Sequence, residues 1–290
     1  MFDSPGVRRV ILVVLDGLRP DAIEKFNLVH LARLMEAGAS TRDGLTVSPP
    51  ITTAALASLF TGVSPSTHGI TRDRFVLNGG DPSTISLASL LSFAGQPTSA
   101  FLAEMPAVLK PLIGRIKRRL GFGVLRPTGR TAEEILENAK PTLHDQRRGL
   151  IVLHWPDADR AGHRFGWMSE PYGAAARRMD ETLGRLAEFC AIPHDASTLL
   201  VLLADHGGGG VREKDHSQEH PVNRRIFVAM CGGGVAPTQL RDVTMLDLAP
   251  TILWVLGHEP PPMYEGRVLD EAFPLGETFS RPALETPAVA

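Results

Sequence analysis

The sequence predicts an α/β protein: a three-layer sandwich around a mostly parallel central sheet. Three observations carry that expectation. Short apolar runs at Val10–Leu15, Gly149–His154, Leu199–Ala204 and Arg225–Met230 read as strands, the continuous kind that is buried on both faces. Segments with apolar residues at helical spacing lie among them, Ala174–Phe189 most clearly, through Met179, Leu183 and Leu186. Strands alternating with helices are the pattern of parallel sheets covered on both sides.

In chain order, Val10–Leu15 stops at Asp16-Gly17. A helix over Asn27–Ala37 follows, with Leu28, Leu31, Leu34 and Met35 on one face and Gly38 as its stop, glycine being the usual residue just past a helix end. Pro49 and Pro50 hold the next stretch extended. A helix from Thr53 to about Phe60 follows, with Thr52 at its N-cap and Thr61-Gly62 as its break. A threonine there is either an ordinary cap or a nucleophile beside an anion-binding helix end. Thr84–Phe93 reads as a short helix and Pro97–Leu102 as a strand.

Lys110–Arg130 gathers Lys110, Arg115, Lys117, Arg118, Arg119, Arg126 and Arg130 among glycines and prolines. It reads as a cap or insertion, within about 104–130, on a single catalytic domain spanning 1–275, with 276–290 as a tail. Its charge is either an electropositive lid or a solvated basic face. Specificity is expected in this segment and in Arg72–Gly80, since loops and caps carry it. Met245–Leu256 closes the fold as a helix ended by Gly257.

Composition narrows the function classes. A hydrophobic share of 43% and a charged share of 21% are those of a globular domain with a core. A formal net charge of -2 argues against a general nucleic-acid binder. Cys190 and Cys231 form no disulfide framework or CxxC pair, and no apolar run reaches the ~18 residues of a membrane span. With no signal-like N-terminus, a cytoplasmic protein acting on a small molecule is expected.

The chemistry sits at the strand ends. Asp16 follows the first strand, Asp157 and Asp159 the second, and Asp205-His206 the third. In a parallel sheet those ends meet along one edge, where ligands bind. Converging carboxylates repel one another, and a cation is the usual remedy. Asp159 and His163 are four residues apart, and His216 and His220 lie beyond the glycine run 207–210. Mixed Asp and His ligands suit zinc first and manganese second, and this many suffice for two divalent ions. His154 points from a strand end towards the site as an outer support. His68 reads as part of a turn, and the glycines as a place where backbone passes close to metal and substrate.

Four motifs in order, Leu-Asp16-Gly-Leu-Arg-Pro-Asp, Pro-Pro-Ile-Thr52 with Thr-Gly-Val-Ser-Pro-Ser-Thr-His-Gly-Ile, Asp159-x-x-Gly-His163 and Asp205-His206-Gly, resemble the alkaline phosphatase superfamily. Within it they are most similar to type I phosphodiesterases/nucleotide pyrophosphatases. Asp247-Leu-Ala-Pro-Thr-Ile resembles the family's closing helix. The resemblance implies an alkaline phosphatase-like fold and a metal-dependent phosphodiesterase with Thr52 as nucleophile and a phosphothreonine intermediate. It implies one metal on Asp16, Asp205 and His206, and the other on Asp159, His163 and a later histidine. His216 is preferred for the last position and His220 is the alternative. Thr52-Thr53-Ala54-Ala55 replaces the family's Thr-Phe-Pro-Asn, so Ala55 lacks the amide that holds a phosphoryl oxygen, which argues against nucleotide substrates. The sulfatase signature Cys/Ser-x-Pro-x-Arg is absent. Phosphonate, phosphomonoester or sulfate ester hydrolysis, or a non-catalytic scaffold, are the competing readings.

Overall fold

The computed structural model describes residues 5–72, 84–104, 111 and 113–274. Of the expected specificity segments, 73–80, 105–110 and 112 lie outside the described residues, as does the tail 276–290. The strands are β1 (Arg9–Leu15), β2 (Ala39–Leu45), β3 (Thr98–Leu102), β4 (Val124–Pro127), β5 (Gly149–Trp155), β6 (Thr198–Leu203), β7 (Arg225–Gly232) and β8 (Thr238–Gln239). They form one sheet in the order β4-β3-β5-β1-β6-β7-β2-β8. Pairings through β4-β3-β5-β1-β6 are parallel, whereas β7 runs antiparallel to both β6 and β2.

The helices are α1 (Ala22–Lys25), α2 (Val29–Glu36), α3 (Thr52–Thr61), α4 (Pro65–His68), α5 (Leu87–Phe93), α6 (Ile113–Leu120), α7 (Ala132–Asp145), α8 (Asp157–Phe165), α9 (Glu170–Phe189), α10 (Pro221–Arg224) and α11 (Leu248–Val255). They fall into two packing groups. Helices α2, α7 and α8 pack on α9, while α4, α5 and α11 pack on α3. Helices α5 and α7, one from each group, both lie against β3 and β5. The sheet is therefore the middle layer, and β1, β5 and β6 are buried along their whole length.

Several sequence expectations change in detail. Thr52 is the first residue of α3 rather than its N-cap. Ile51 occupies the cap position in extended conformation and no side chain bonds the first turn, which leaves the Thr52 hydroxyl available for other contacts. Gly62 ends the helix at φ 65°, where a Cβ would lie 2.5 Å from the Tyr264 ring. The closing segment begins as a 3-10 turn at Met245–Asp247 before α11. From the basic segment, β4 joins the main sheet as its edge, and α6 packs Ile113, Ile116 and Leu120 against the core. Strand β2 and helices α7 and α8 were not anticipated by the sequence pattern. No helix among the described residues is long and apolar enough to cross a membrane.

Candidate functional site

The carboxyl ends of β1, β5 and β6 lie side by side. Val14 is in register with His154 and with Leu203. Neighbours in register point to the same face, and so does the residue two positions on. Asp16, His154 and Asp205 therefore meet at one edge. Asp16 Oδ2 is 3.3 Å from His154 Nε2, and Asp16 Oδ1 is 3.3 Å from His206 Nε2. Asp205 Oδ2 lies 3.6 Å from the same His206 nitrogen. Asp205 is held by the Gly17 and His206 N–H groups, which donate to its Oδ1 at 3.1 and 3.0 Å.

The loop after β1 is fixed from several sides. Gly17 has φ +67°, and a Cβ there would lie 2.9 Å from Asp159 Cα; this close approach lets Asp159 N–H donate to the Asp16 carbonyl at 3.0 Å. Trp167 Nε1–H and the Tyr172 hydroxyl both donate to the Gly17 carbonyl at 3.0 Å. Helix α8 then presents Asp159 and His163 one turn apart, with His163 Nε2 3.4 Å from Asp159 Oδ1. Asp157 turns away: its Oδ2 accepts from Ala132 N–H at 2.8 Å, at the start of α7.

Each of three histidines is aimed by the main chain. His206 Nδ1–H donates to the Gly207 carbonyl at 2.7 Å, His216 Nδ1–H to the Pro50 carbonyl at 2.8 Å, and His163 Nδ1–H to the Lys214 carbonyl at 3.0 Å. A carbonyl only accepts, so each bond places a proton on Nδ1 and leaves Nε2 as the atom that could ligate a metal. Those nitrogens face the carboxylates; His216 Nε2 is 3.8 Å from Asp159 Oδ1. The His206 and His216 rings stack with centroids 3.7 Å apart and planes at 7°. Thr52 Oγ1 sits 3.0 Å from His206 Nε2.

Two clusters of ligand atoms, each within 4.8 Å of one another, result: Asp159, His206 and His216, and Asp16, His154 and Asp205. His206 stands between them. The buried Asp16 Oδ1, Asp205 Oδ2 and His154 Nε2 atoms have no hydrogen-bond partner among the described residues, a costly arrangement that a cation relieves. Without a cation, burial pushes the Asp205 carboxyl up, and Asp16 beside it pushes it further. Burial works against the His206 cation, but Asp205 and Asp16 outweigh it and raise its pKa to about 10. His216 is lowered to about 4 by burial and by the His206 charge, so its imidazole is neutral. Burial also opposes ionisation of Asp16, yet His154 and His206 hold it well below the usual carboxylate range. The donor set and its orphaned atoms fit two divalent ions.

His220, the alternative for the last ligand position, makes contacts of its own. His220 Nδ1 accepts from Val222 N–H at 3.3 Å at the start of α10, and its ring packs over Gly210. The glycine run admits protein rather than ligand. A Cβ on Gly207 would lie 1.9 Å from the Val222 carbonyl, and one on Gly208 2.1 Å from the Trp167 indole. His154 reaches Asp16 directly, the contact an outer support makes. Trp167 and Tyr172 carried no sequence signal, because their role is to clamp a carbonyl, and any donor at the right place serves that. His68 accepts from Ile70 N–H at Nδ1 and meets Ser58 Oγ at 2.9 Å, far from the ligand clusters in its bonding.

Comparison with known proteins places the fold and the family. Among solved structures, a protein of the alkaline phosphatase superfamily from Vibrio parahaemolyticus superposes with TM-score 0.73 at 17% identity, covering 95% of this chain and 72% of that one. The phosphonate monoester hydrolase of Silicibacter pomeroyi gives 0.69 at 17% identity, with 94% and 78% covered. Murine ectonucleotide pyrophosphatase/phosphodiesterase 5, as an inactive threonine-to-alanine form in complex with AMP, gives 0.69 at 14% identity, with 88% and 96% covered. These likenesses establish an alkaline phosphatase-like fold. Among curated relatives, the 2,3-bisphosphoglycerate-independent phosphoglycerate mutase of Wolbachia pipientis is 27% identical over 135 residues, 45% of this chain and 25% of the mutase. The mutase of a Synechococcus strain is 30% identical over 152 residues, 48% of this chain and 27% of that protein. The chain thus matches only about a quarter of the length of these relatives. The family model for Type I phosphodiesterase / nucleotide pyrophosphatase matches residues 10–89 and 114–242, well over half of the sequence, and the chain belongs to that family.

Proposed function

We propose that this protein is a two-metal phosphodiesterase that transfers a phosphoryl group from a small ester to Thr52 and then to water. The observation that carries this reading is the shared aim of His163, His206 and His216. Each is pinned through Nδ1 to a backbone carbonyl and turns Nε2 towards Asp159, Asp16 or Thr52. Such pinning is the usual support of a metal-binding imidazole.

In this reading Asp16, Asp205 and His206 hold one ion, with His154 behind Asp16. Asp159, His163 and His216 hold the other, and His220 is left to cap α10. Zinc is the ion these donors suit best. Bound divalent ions supply Lewis acidity and positive charge for the phosphoryl oxygens. Thr52 supplies the nucleophilic oxygen. Its hydroxyl is free of capping duty and stands at the start of a ten-residue helix, where unpaired N–H groups favour an anion. Attack by Oγ on phosphorus, with its proton passing to solvent, expels one of the two ester oxygens as the leaving alcohol and leaves a phosphothreonine that still carries the other ester group; water then cleaves the Thr52 O–P bond and releases the monoester. Ala55 is fully buried and its N–H bonds the Ile51 carbonyl, so it offers a nucleotide phosphate nothing.

The reading is tested by stripping the protein with a chelator and assaying aryl phosphodiester, phosphomonoester, phosphonate and sulfate esters with Zn, Mn and Mg added singly. The expected result is chelator-sensitive hydrolysis, fastest on the diester. Faster turnover of another ester reassigns the substrate class, and no metal-dependent rate on any ester refutes the enzyme.

A further inference from the structure

A cavity of about 580 Å³ lies beside the start of α3, within the size range of small-molecule pockets. Its lining includes Thr53, the neighbour of Thr52, and His154, which touches Asp16. The rest is largely hydrocarbon. Leu56 and Phe60 come from α3, Ala100 and Val152 from the middle of β3 and β5, and Ile116 and Phe122 from the α6 region. Helix α6 turns Ile113, Ile116 and Leu120 inward. Arg115, Arg118 and Arg119 of the same helix are exposed, yet they also border the cavity. None of the three makes an ion pair among the described residues.

Two demands therefore fall on whatever enters beside Thr52. It must satisfy an apolar chamber, which gains from excluding water. It must also tolerate or use positive charge at the rim that no acidic group among the described residues pairs. A nucleoside would leave its sugar and base polar groups without partners against Leu56, Phe60 and Phe122. An amphiphile meets both demands. We propose that this cavity is the subsite for one ester substituent of the substrate, and that it takes a hydrocarbon chain while the α6 arginines face the anionic surroundings of an alkyl phosphodiester. The inference rests on the phosphodiesterase reading above. The amphiphile comes either as a free monomer or from an anionic bilayer.

The test uses 4-nitrophenyl alkyl phosphodiesters with methyl, butyl and octyl groups, each below its micelle concentration. The expected kcat/KM rises by about tenfold or more from methyl to octyl, because each buried methylene contributes. Ala57 of α3 also lines the cavity, and Ala57→Phe, which fills it, abolishes that gain. Should thermal scans show that variant unfolded, Ile116→Trp on the half-exposed roof replaces it. A flat series with the methyl ester well turned over overturns the subsite and spares the phosphodiesterase reading. So does a gain that survives in a folded, filled variant. Turnover of no ester at all fails the phosphodiesterase reading instead. Calorimetry with octylphosphonate then decides the cavity alone: binding lost in Ala57→Phe upholds it, and equal binding overturns it. The octyl ester in vesicles of equal parts phosphatidylcholine and phosphatidylglycerol separates the two sources. An acceleration there that the Arg115→Gln, Arg118→Gln, Arg119→Gln variant loses assigns a bilayer lipid; equal rates assign the free amphiphile.

Discussion

Thr52 Oγ1 and His206 Nε2 lie 3.0 Å apart although 154 positions separate them in the chain. The hydroxyl makes no bond to its own helix start, so its removal costs the fold little. Thr52→Ala is expected to lower turnover by at least about a thousandfold, with bound metal and melting temperature near those of the parent. Metal analysis, a thermal scan and the diester assay on one preparation check this. Normal hydrolysis by the variant would remove Thr52 from the reaction.

Metal affinity should depend on pH in a defined direction. The metal-free site keeps a proton on His206, whose pKa is raised to about 10, and an ion taking Nε2 must displace it. Affinity is then expected to rise by about tenfold per pH unit between pH 7 and 9. Below neutrality the fall steepens, because the raised Asp205 carboxyl takes up a second proton. His216, already neutral, adds nothing in this range. Competition titrations against a chelator of known affinity measure the slope, and a pH-independent affinity would contradict it.

Gly17→Ala places a methyl group 2.9 Å from the Asp159 backbone at a φ of +67°. Alanine at such an angle is strained, and the neighbour here is main chain that cannot swing aside. A loss of about 1–3 kcal/mol in stability is expected, with a larger proportional loss of activity because Asp16 and Asp159 are forced apart. Denaturant unfolding and kcat/KM on the same variant test both parts.

His68 gives the fold an acid limit of its own. It is 2% exposed, and burial lowers its pKa below the usual value. The unfolded chain therefore protonates at His68 near pH 6.5 while the folded chain resists. Between the two pKa values the unfolded state binds more protons, so stability falls as pH drops below about 6.5 and is unaffected by this group above it. His68→Gln should unfold with a shallower dependence on pH between 6.5 and 5. An unchanged slope in urea titrations at those two pH values would rule the group out.

The parts legible in the sequence are those whose cause is local. Runs such as Val10–Leu15 and Leu199–Ala204 carry their burial in their composition, and an acid directly after a parallel strand has its edge assigned by topology. Strand β2, Ala-Ser-Thr-Arg-Asp-Gly-Leu, carries no such mark. It is a strand because β7 offers a partner on one side and β8 on the other, and pairing overrides weak propensity. His154 was placed near the site, but its contact with Asp16 depends on the register Val14 to His154, which no single strand encodes. The aim of His216 depends on a carbonyl at Pro50, 166 positions away. Trp167 was invisible because its binding partner is the Gly17 main chain.

The three imidazoles are steered by oxygen atoms that every amino acid possesses. Gly207, Pro50 and Lys214 contribute only their peptide carbonyls to that task. The identity of a steering residue such as Lys214 is thus free to drift over evolutionary time without disturbing the cage. Loop length between Asp205 and His216 is not free, since adding or deleting one peptide unit would rotate every carbonyl after it. What this chain has to preserve there is a spacing, more than a spelling.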